Sequence, residues 1–391
     1  MCVYTLQLHF LPQQKNKMKD KTMNIFFFFF FTCFFSILSP LNARNVSPLP
    51  SFSGSAPQNR IPAVYAFGDS TLDSGNNDYI TTLFTGDHLP YGRDFPGHAA
   101  SGRFTNGRLT GDFLVSYLGL KRALPPYLAP KLSDQELLSG VSFASAGTGF
   151  DELTAQTASV INMDTQIRYF REYLGKINKT AGAEKSAEII KNGLFVISAG
   201  TNDMVFNYYD LPLRTVQYSL PEYHDFLLHR LENVVQKLHF LGARKFVISG
   251  MPPIGCLPVQ RTIGSLLPGQ HILQRICTEK QNLDTQAYNQ KLQNLIQRFQ
   301  ATLSGSIFAY TDCYGPMMDM VNNPSKYGFE VTGQGCCGTG MIEMGFLCSG
   351  LLPACSDASK YMFWDAVHPT EATYRTLASI LQQSVLPRFL V

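Results

Sequence analysis

The chain has 391 residues, 45% of them apolar and 16% charged, which is enough to bury a large core and excludes wholesale disorder. No run of 18 apolar residues occurs, so the pattern holds no membrane-spanning helix, and the 31 glycines and 22 prolines follow no period, which excludes collagen and simple repeats. The formal charge of +3 belongs to the first forty residues: without 1–43 the chain has 28 basic and 28 acidic side chains, and nothing in that balance argues for nucleic acid.

Lys15, Lys17, Lys19 and Lys21 precede an apolar stretch of 14 residues at 25–38. As a helix it would span about 21 Å, against a bilayer core of about 30 Å. A basic segment, a short apolar segment and a small residue, Ala43, describe a secretory signal peptide over 1–43, with cleavage near Ala43. Residues 44–60 are rich in Ser, Pro and Asn and read as a mobile lead-in. The sequons at Asn45 and Asn178 fit a secretory route as glycosylation candidates.

From residue 61 onward, short apolar runs alternate with helical patterns. The strand candidates are 63–67, 141–144, 194–198, 245–249 and 307–310. They are continuous apolar runs, as expected of parallel strands buried on both faces. Stripes at spacings of three and four predict amphipathic helices over 163–177, 223–241 and 283–303. This alternation indicates an α/β sandwich with right-handed crossovers. No linker divides it, so 61–391 is expected to be one domain. The site should lie in the loops at the carboxyl edge of the sheet.

The first strand runs into Gly68-Asp69-Ser70-Thr71, where Ser70 is placed either as an exposed nucleophile or as a helix cap. Gly147 follows the second strand and Asn202 the third; each fits an ordinary turn, and together they could supply oxyanion donors. Asp365 and His368, three residues apart before the last helix, can form an orienter–base pair. The alternative is a surface histidine beside a helix capped by Thr370.

Seven cysteines remain after residue 43. Cys256, Cys277, Cys336, Cys337, Cys348 and Cys355 are disulfide candidates, with connectivity open, and Cys313 is expected to be free. The spacing lacks paired C-x-x-C units, so zinc is disfavoured. Gly333-Gln334-Gly335-Cys336-Cys337-Gly338 fits G-x-G-x-x-G formally, but no strand is expected before it and no helix after it. Arg93, Arg103 and Arg108 are expected in loop-pinning ion pairs rather than an anion site. His88, His98, His224, His229, His239 and His271 lack a ligand pattern and are read as surface or capping residues.

The segments 66–70 with Asp73, Gly75 and Asn76, then Gly147, then 200–203, then 365–368 resemble the four blocks of the GDSL-type (SGNH) esterase/lipase family. The segments 90–95, 102–108 and 335–338 resemble its plant secreted branch. Thr71 stands where the name-giving Leu would be, and Cys313 replaces a more usual aliphatic residue. The resemblance covers about 61–388. It implies a flavodoxin-like three-layer α/β/α sandwich around about five parallel strands. It also implies Ser70 as acyl nucleophile, His368 as base, Asp365 as its partner, and an oxyanion hole of the Ser70 and Gly147 N–H groups and the Asn202 amide. The expected protein is a secreted serine esterase of the cell wall or apoplast, without metal or organic cofactor. It would be a monomer acting on small-molecule, lipid or cell-wall esters. An acyltransferase using the same triad and a non-catalytic binding protein on an esterase fold are the rival readings.

Overall fold

The computed structural model describes residues 61–266 and 274–390. The expected signal peptide, the lead-in with Asn45, and His271 lie outside the described residues.

Four parallel strands form the central sheet in the order β1 (Val64–Gly68), β2 (Leu194–Ser198), β3 (Lys245–Ser249) and β4 (Ile307–Thr311). The register pairs Tyr65 with Phe195, Phe195 with Phe246, and Phe246 with Phe308. The alternation within each strand sorts side chains by size. Tyr65, Phe67, Phe195, Phe246 and Phe308 face one layer, while Val64, Ala66, Val196, Val247 and Ala309 face the other. Aromatic rings step across the first face, with Phe195–Phe246 and Phe246–Phe308 centroids 5.6 and 4.7 Å apart.

The helices are α1 (Thr110–Tyr117), α2 (Asp134–Leu138), α3 (Glu152–Ala158), α4 (Met163–Ala181), α5 (Ala183–Asn192), α6 (Leu220–Phe240), α7 (Pro258–Leu266), α8 (Glu279–Thr302), α9 (Tyr314–Asn322) and α10 (Glu371–Ser384). α4, α6 and α8 cover the aromatic face through Phe170, Tyr173, Leu227, Leu231, Leu292 and Phe299. Leu114 and Val115 of α1 and Leu381 of α10 cover the aliphatic face. The result is a three-layer α/β/α sandwich. The three amphipathic stripes read from the sequence lie on α4, α6 and α8, each helix starting at or a few residues before the expected point.

The expected strand at 141–144 is present only as an irregular edge. It bonds to β1 in parallel fashion, Ala66 N–H to Val141 O at 3.3 Å and Phe143 N–H to Ala66 O at 2.8 Å, with a single bridge at Ser142. The carbonyls of Ser142 and Ala144 point away from β1 and accept from the Asn76 side-chain amide at 2.9 and 2.8 Å, while Gly68 N–H, which would continue the ladder to Phe143 O, goes to Gln166 Oε1 instead. With this edge included, the sheet has the flavodoxin order 2-1-3-4-5. The chain goes outward from β1 to the edge and then returns to β2 on the other side. A ligand is expected in the crevice at such a reversal, outside the carboxyl ends of the strands.

A second, two-stranded parallel sheet joins β5 (Val331–Gly335) and β6 (Tyr361–Phe363). The Gly-rich motif at 333–338 therefore begins inside a strand, contrary to the sequence reading. Three disulfides close, Cys256–Cys277, Cys336–Cys355 and Cys337–Cys348, the last two nested in the loop between β5 and β6.

Candidate active site

Ser70 sits two residues past the end of β1, in a turn that only glycine permits. Gly68 has φ +131°, and a Cβ there would lie 1.8 Å from Ser198 O. Gln166 of α4 clamps this residue from both sides. Gly68 N–H donates to Oε1 at 2.8 Å, and Nε2 donates back to Gly68 O at 2.9 Å. Asp69 N–H donates to Ser198 O at 3.0 Å, and the Asp69 carboxylate accepts from the Thr71 N–H and hydroxyl at 3.0 and 2.8 Å. Burial pushes the Asp69 carboxyl up to about 6, against the pull of the Thr71 donors. Both ends of the turn are thus bonded into the sheet before Ser70 makes any contact.

The candidate base arrives from the far end of the chain. Asp365 follows β6, and its Oδ1 accepts from the N–H groups of Val367 and His368 at 2.8 and 2.7 Å. This turn folds residue 368 back over residue 365, which is why a spacing of three brings the two side chains together. His368 Nδ1 lies 2.7 Å from Asp365 Oδ2, and its Nε2 lies 2.8 Å from Ser70 Oγ. Asp365 as a carboxylate only accepts, so Nδ1 carries the proton and Nε2 is bare toward the Ser70 hydroxyl. Asp365 is 0% exposed. Four donors compensate that burial, the fourth being the Tyr91 hydroxyl at 2.6 Å. Thr370 does cap α10, accepting from Thr373 N–H at 3.4 Å, but His368 beside it is buried rather than a surface residue.

The two remaining sequence candidates flank the sheet reversal. Gly147 has φ +83°. Its neighbour Ala146 is fixed on both sides, its N–H donating to Asp73 Oδ2 at 2.8 Å and its carbonyl accepting from Asn77 Nδ2 at 3.0 Å. Asn202 Nδ2 donates to Thr148 O at 2.9 Å, which leaves one amide hydrogen for a ligand. Asp203 braces the same loop, accepting from Phe150 N–H at 2.8 Å, Asp151 N–H at 3.1 Å and the Thr154 hydroxyl. Burial pushes its carboxyl up to about 7. Ser70, Gly147, Asn202 and His368 line one cavity of about 160 Å³, walled by Phe84, Phe104, Phe206 and Met344. A second cavity of about 100 Å³ also opens on Ser70 and His368 and runs past the ends of β2, β3 and β4 toward Cys313.

A hydroxyl, an imidazole and a carboxylate linked in this way, beside two candidate oxyanion donors, suit acyl transfer. A family model described as GDSL-like lipase/acylhydrolase matches residues 64–381. The chain belongs to that family. Three GDSL esterase/lipases of Arabidopsis thaliana are similar to it over nearly their whole lengths. One is 50% identical, over 90% of this chain and 94% of its own. The second is 45% identical, over 88% and 94%, and the third is 43% identical, over 90% and 95%.

In this family member the other sequence candidates fall as follows. Arg103 makes a two-point contact with buried Asp112, Nε to Oδ2 and Nη2 to Oδ1 both at 2.8 Å. Arg108 meets Glu371 at 3.4 Å; the ion pair of Arg93 is with its own neighbour Asp94 at 3.2 Å, and Arg93 pins its loop through Nη1 donating to Cys355 O at 2.6 Å instead. Cys313 is free and lies 3.1 Å from Ser249 Oγ, with burial pushing its thiol up to about 11. Asn178 is exposed in the last turns of α4. His224 is not a surface residue: it is 2% exposed, on the buried stripe of α6, with its ring 5.5 Å from that of Tyr288. Its position three residues before Leu227 and four before Leu228 was the available signal.

Sequence reasoning missed Gln166 and assigned no role to Tyr91 or Asp203. For Gln166 the only hint is an amide on the apolar side of α4, between Met163 and Phe170.

Proposed function

We propose that this GDSL-type ester hydrolase works through an acyl-enzyme on Ser70. Ser70 Oγ attacks the ester carbonyl carbon as His368 Nε2 takes its proton. Asp365 holds the resulting imidazolium in place. The Ser70 and Gly147 N–H groups and the free Asn202 amide hydrogen hold the oxyanion. Collapse of the tetrahedral intermediate breaks the carbon–alcohol oxygen bond, and His368 returns the proton to the leaving alcohol. Water then enters, His368 deprotonates it, and the acid is released with Ser70 restored.

The observation that carries this reading is the unbroken chain Ser70–His368–Asp365, at 2.8 and 2.7 Å. The apolar walls of both cavities support an acyl ester, of lipid or cell-wall origin, as substrate. The basic and apolar segments of 1–43 together with three disulfides support a secreted protein.

The test is hydrolysis of p-nitrophenyl acetate, butyrate and palmitate by the mature protein and by Ser70→Ala. Wild-type turnover that falls about a thousandfold or more in the mutant is expected. Equal turnover by both proteins, or none by folded wild type, would overturn the assignment.

A further inference from the structure

The disulfide-bounded loop at 336–355 carries no lysine or arginine. Its one acid, Glu343, is buried, accepting from the Thr339 N–H and hydroxyl at 2.9 and 2.8 Å and from Met341 N–H at 3.1 Å. Its large apolar side chains go the other way. Phe346 is 57%, Leu347 44% and Leu351 95% exposed, and Leu352 is exposed beside them.

A second segment adds to this face. Leu83 is 69% and Leu89 56% exposed. A Cβ on Gly345 would lie 3.7 Å from Leu83 O, and one on Gly350 would lie 3.6 Å from Leu89 O, so the two segments run side by side. The loop is held in this form by Cys336–Cys355, Cys337–Cys348 and the Gly345 N–H bond to the Tyr91 hydroxyl at 2.8 Å. Leu83, Phe346 and Leu347 also line the cavity that contains Ser70. The apolar face therefore adjoins a mouth of the candidate active site.

We propose that this face docks the enzyme on an uncharged acyl-ester phase, such as an oil droplet or a wax-like layer, from which substrate enters the Ser70 cavity directly. The proposal rests on the esterase reading above and adds the physical state of the substrate. Contiguous exposed apolar side chains mark interaction sites. A protein seated here would cover the mouth, whereas an ester phase delivers substrate into it. The absence of cationic side chains on the loop, with Asp87 exposed on the neighbouring segment, disfavours an anionic bilayer.

The experiment uses the full mature chain carrying Ser70→Ala, so that hydrolysis does not consume the probe. Its flotation with trioctanoin droplets is compared with binding to phosphatidylglycerol vesicles. Flotation with the droplets is expected. Adding Leu351→Asp and Leu352→Asp should reduce the floated fraction about tenfold or more. Leu89→Asp, on the other segment, provides a second variant should the first fold poorly, and Leu351→Met should keep flotation. On a Ser70 background, the aspartate variants should lower the ratio of droplet hydrolysis to dissolved p-nitrophenyl acetate hydrolysis by a similar factor. Absence of flotation, equal flotation by folded aspartate variants, or binding confined to the anionic vesicles would overturn the proposal. Flotation without Ser70-dependent turnover would instead overturn the esterase reading and leave the docking face standing.

Discussion

The hydroxyl of Tyr91 donates at 2.6 Å to Oδ2 of Asp365, the same oxygen that holds Nδ1 of His368 at 2.7 Å. The Tyr91 oxygen also accepts from Gly345 N–H at 2.8 Å, so one hydroxyl ties the candidate orienter to the disulfide-bounded loop. Burial, and then the Asp365 charge, push the Tyr91 phenol well above its ordinary value, so it stays a donor. Tyr91→Phe keeps the ring and removes both bonds. Gly345 N–H loses its partner, at a cost of about 1–3 kcal/mol. Asp365 loses a donor that shares its charge and should hold the imidazolium more tightly, moving the acid limb of the pH–rate profile upward. A pH profile of kcat/KM alongside urea unfolding separates the two effects. An unmoved acid limb would confine Tyr91 to a structural role.

Gln166 braces the turn that carries Ser70. Its side chain closes two bonds with the Gly68 backbone, at 2.8 and 2.9 Å, inside the core. Gln166→Ala leaves the buried Gly68 N–H without a partner, while Gly68 O keeps the Ser145 N–H at 2.9 Å, and should cost about 1–3 kcal/mol, with kcat falling as the Ser70 turn loosens. Gln166→Glu keeps the acceptor for Gly68 N–H but turns a buried carboxylate oxygen on the carbonyls of Gly68 and Ile161, and at neutral pH should cost more than the alanine variant. Denaturant midpoints and kcat for both variants check the order. Wild-type stability in the alanine variant would mean that water or backbone adjustment replaces the clamp.

These two residues mark the boundary of what the sequence discloses. Asp365 and His368 are legible because the turn joining them is local. Gln166 and Tyr91 act on partners 98 and 274 positions away, and no periodicity connects them. The strands of the central sheet are legible as apolar runs because both faces are buried. β5, with the sequence VTGQG, has no such run and is held by pairing with β6 alone. The 141–144 segment has the right composition, but its ladder to β1 is cut short where Gly68 N–H turns to Gln166, a side-chain competition that composition does not encode. Cysteine pairing is likewise hidden, since nested and crossed connections fit the same spacing.

Loop length sets the expected effect of reduction. By the chain-entropy relation, closures of 21, 19 and 11 residues stabilise by about 3 kcal/mol each. Cys337–Cys348 lies inside the loop closed by Cys336–Cys355, so removing it alone should cost less than removing the outer bridge alone. Paired Cys→Ala variants, compared by urea unfolding, test that order. Activity should fall with the outer bridge, because the loop carries the Gly345 N–H that fixes Tyr91. A melting curve unmoved by reductant would mean that the bridges do not form in the folded protein.

His224 gives a stability change with a definite sign. Burial, and then the neighbouring Lys291, lower its pKa to about 4, while Asp284 and Asp225 pull weakly the other way. An unfolded histidine titrates near 6.5. Between those values the unfolded chain binds the proton and the folded chain does not, so this contribution is intact above about pH 6.5. It is lost as pH falls toward 4, by at most about 3 kcal/mol. Asp69 and Asp73, raised by burial to about 6, and Asp203, raised to about 7, act oppositely: their contribution is present in acid and is lost as pH rises through those values. The whole-protein profile is therefore a sum of opposed slopes, and wild type alone does not isolate the histidine. His224→Leu fills similar space and cannot titrate. Its stability relative to wild type should rise as pH is lowered from 7 to 4.5, read from urea midpoints at each pH. A difference that stays constant across that range would show that the His224 ring titrates in the folded protein as it does in the unfolded chain.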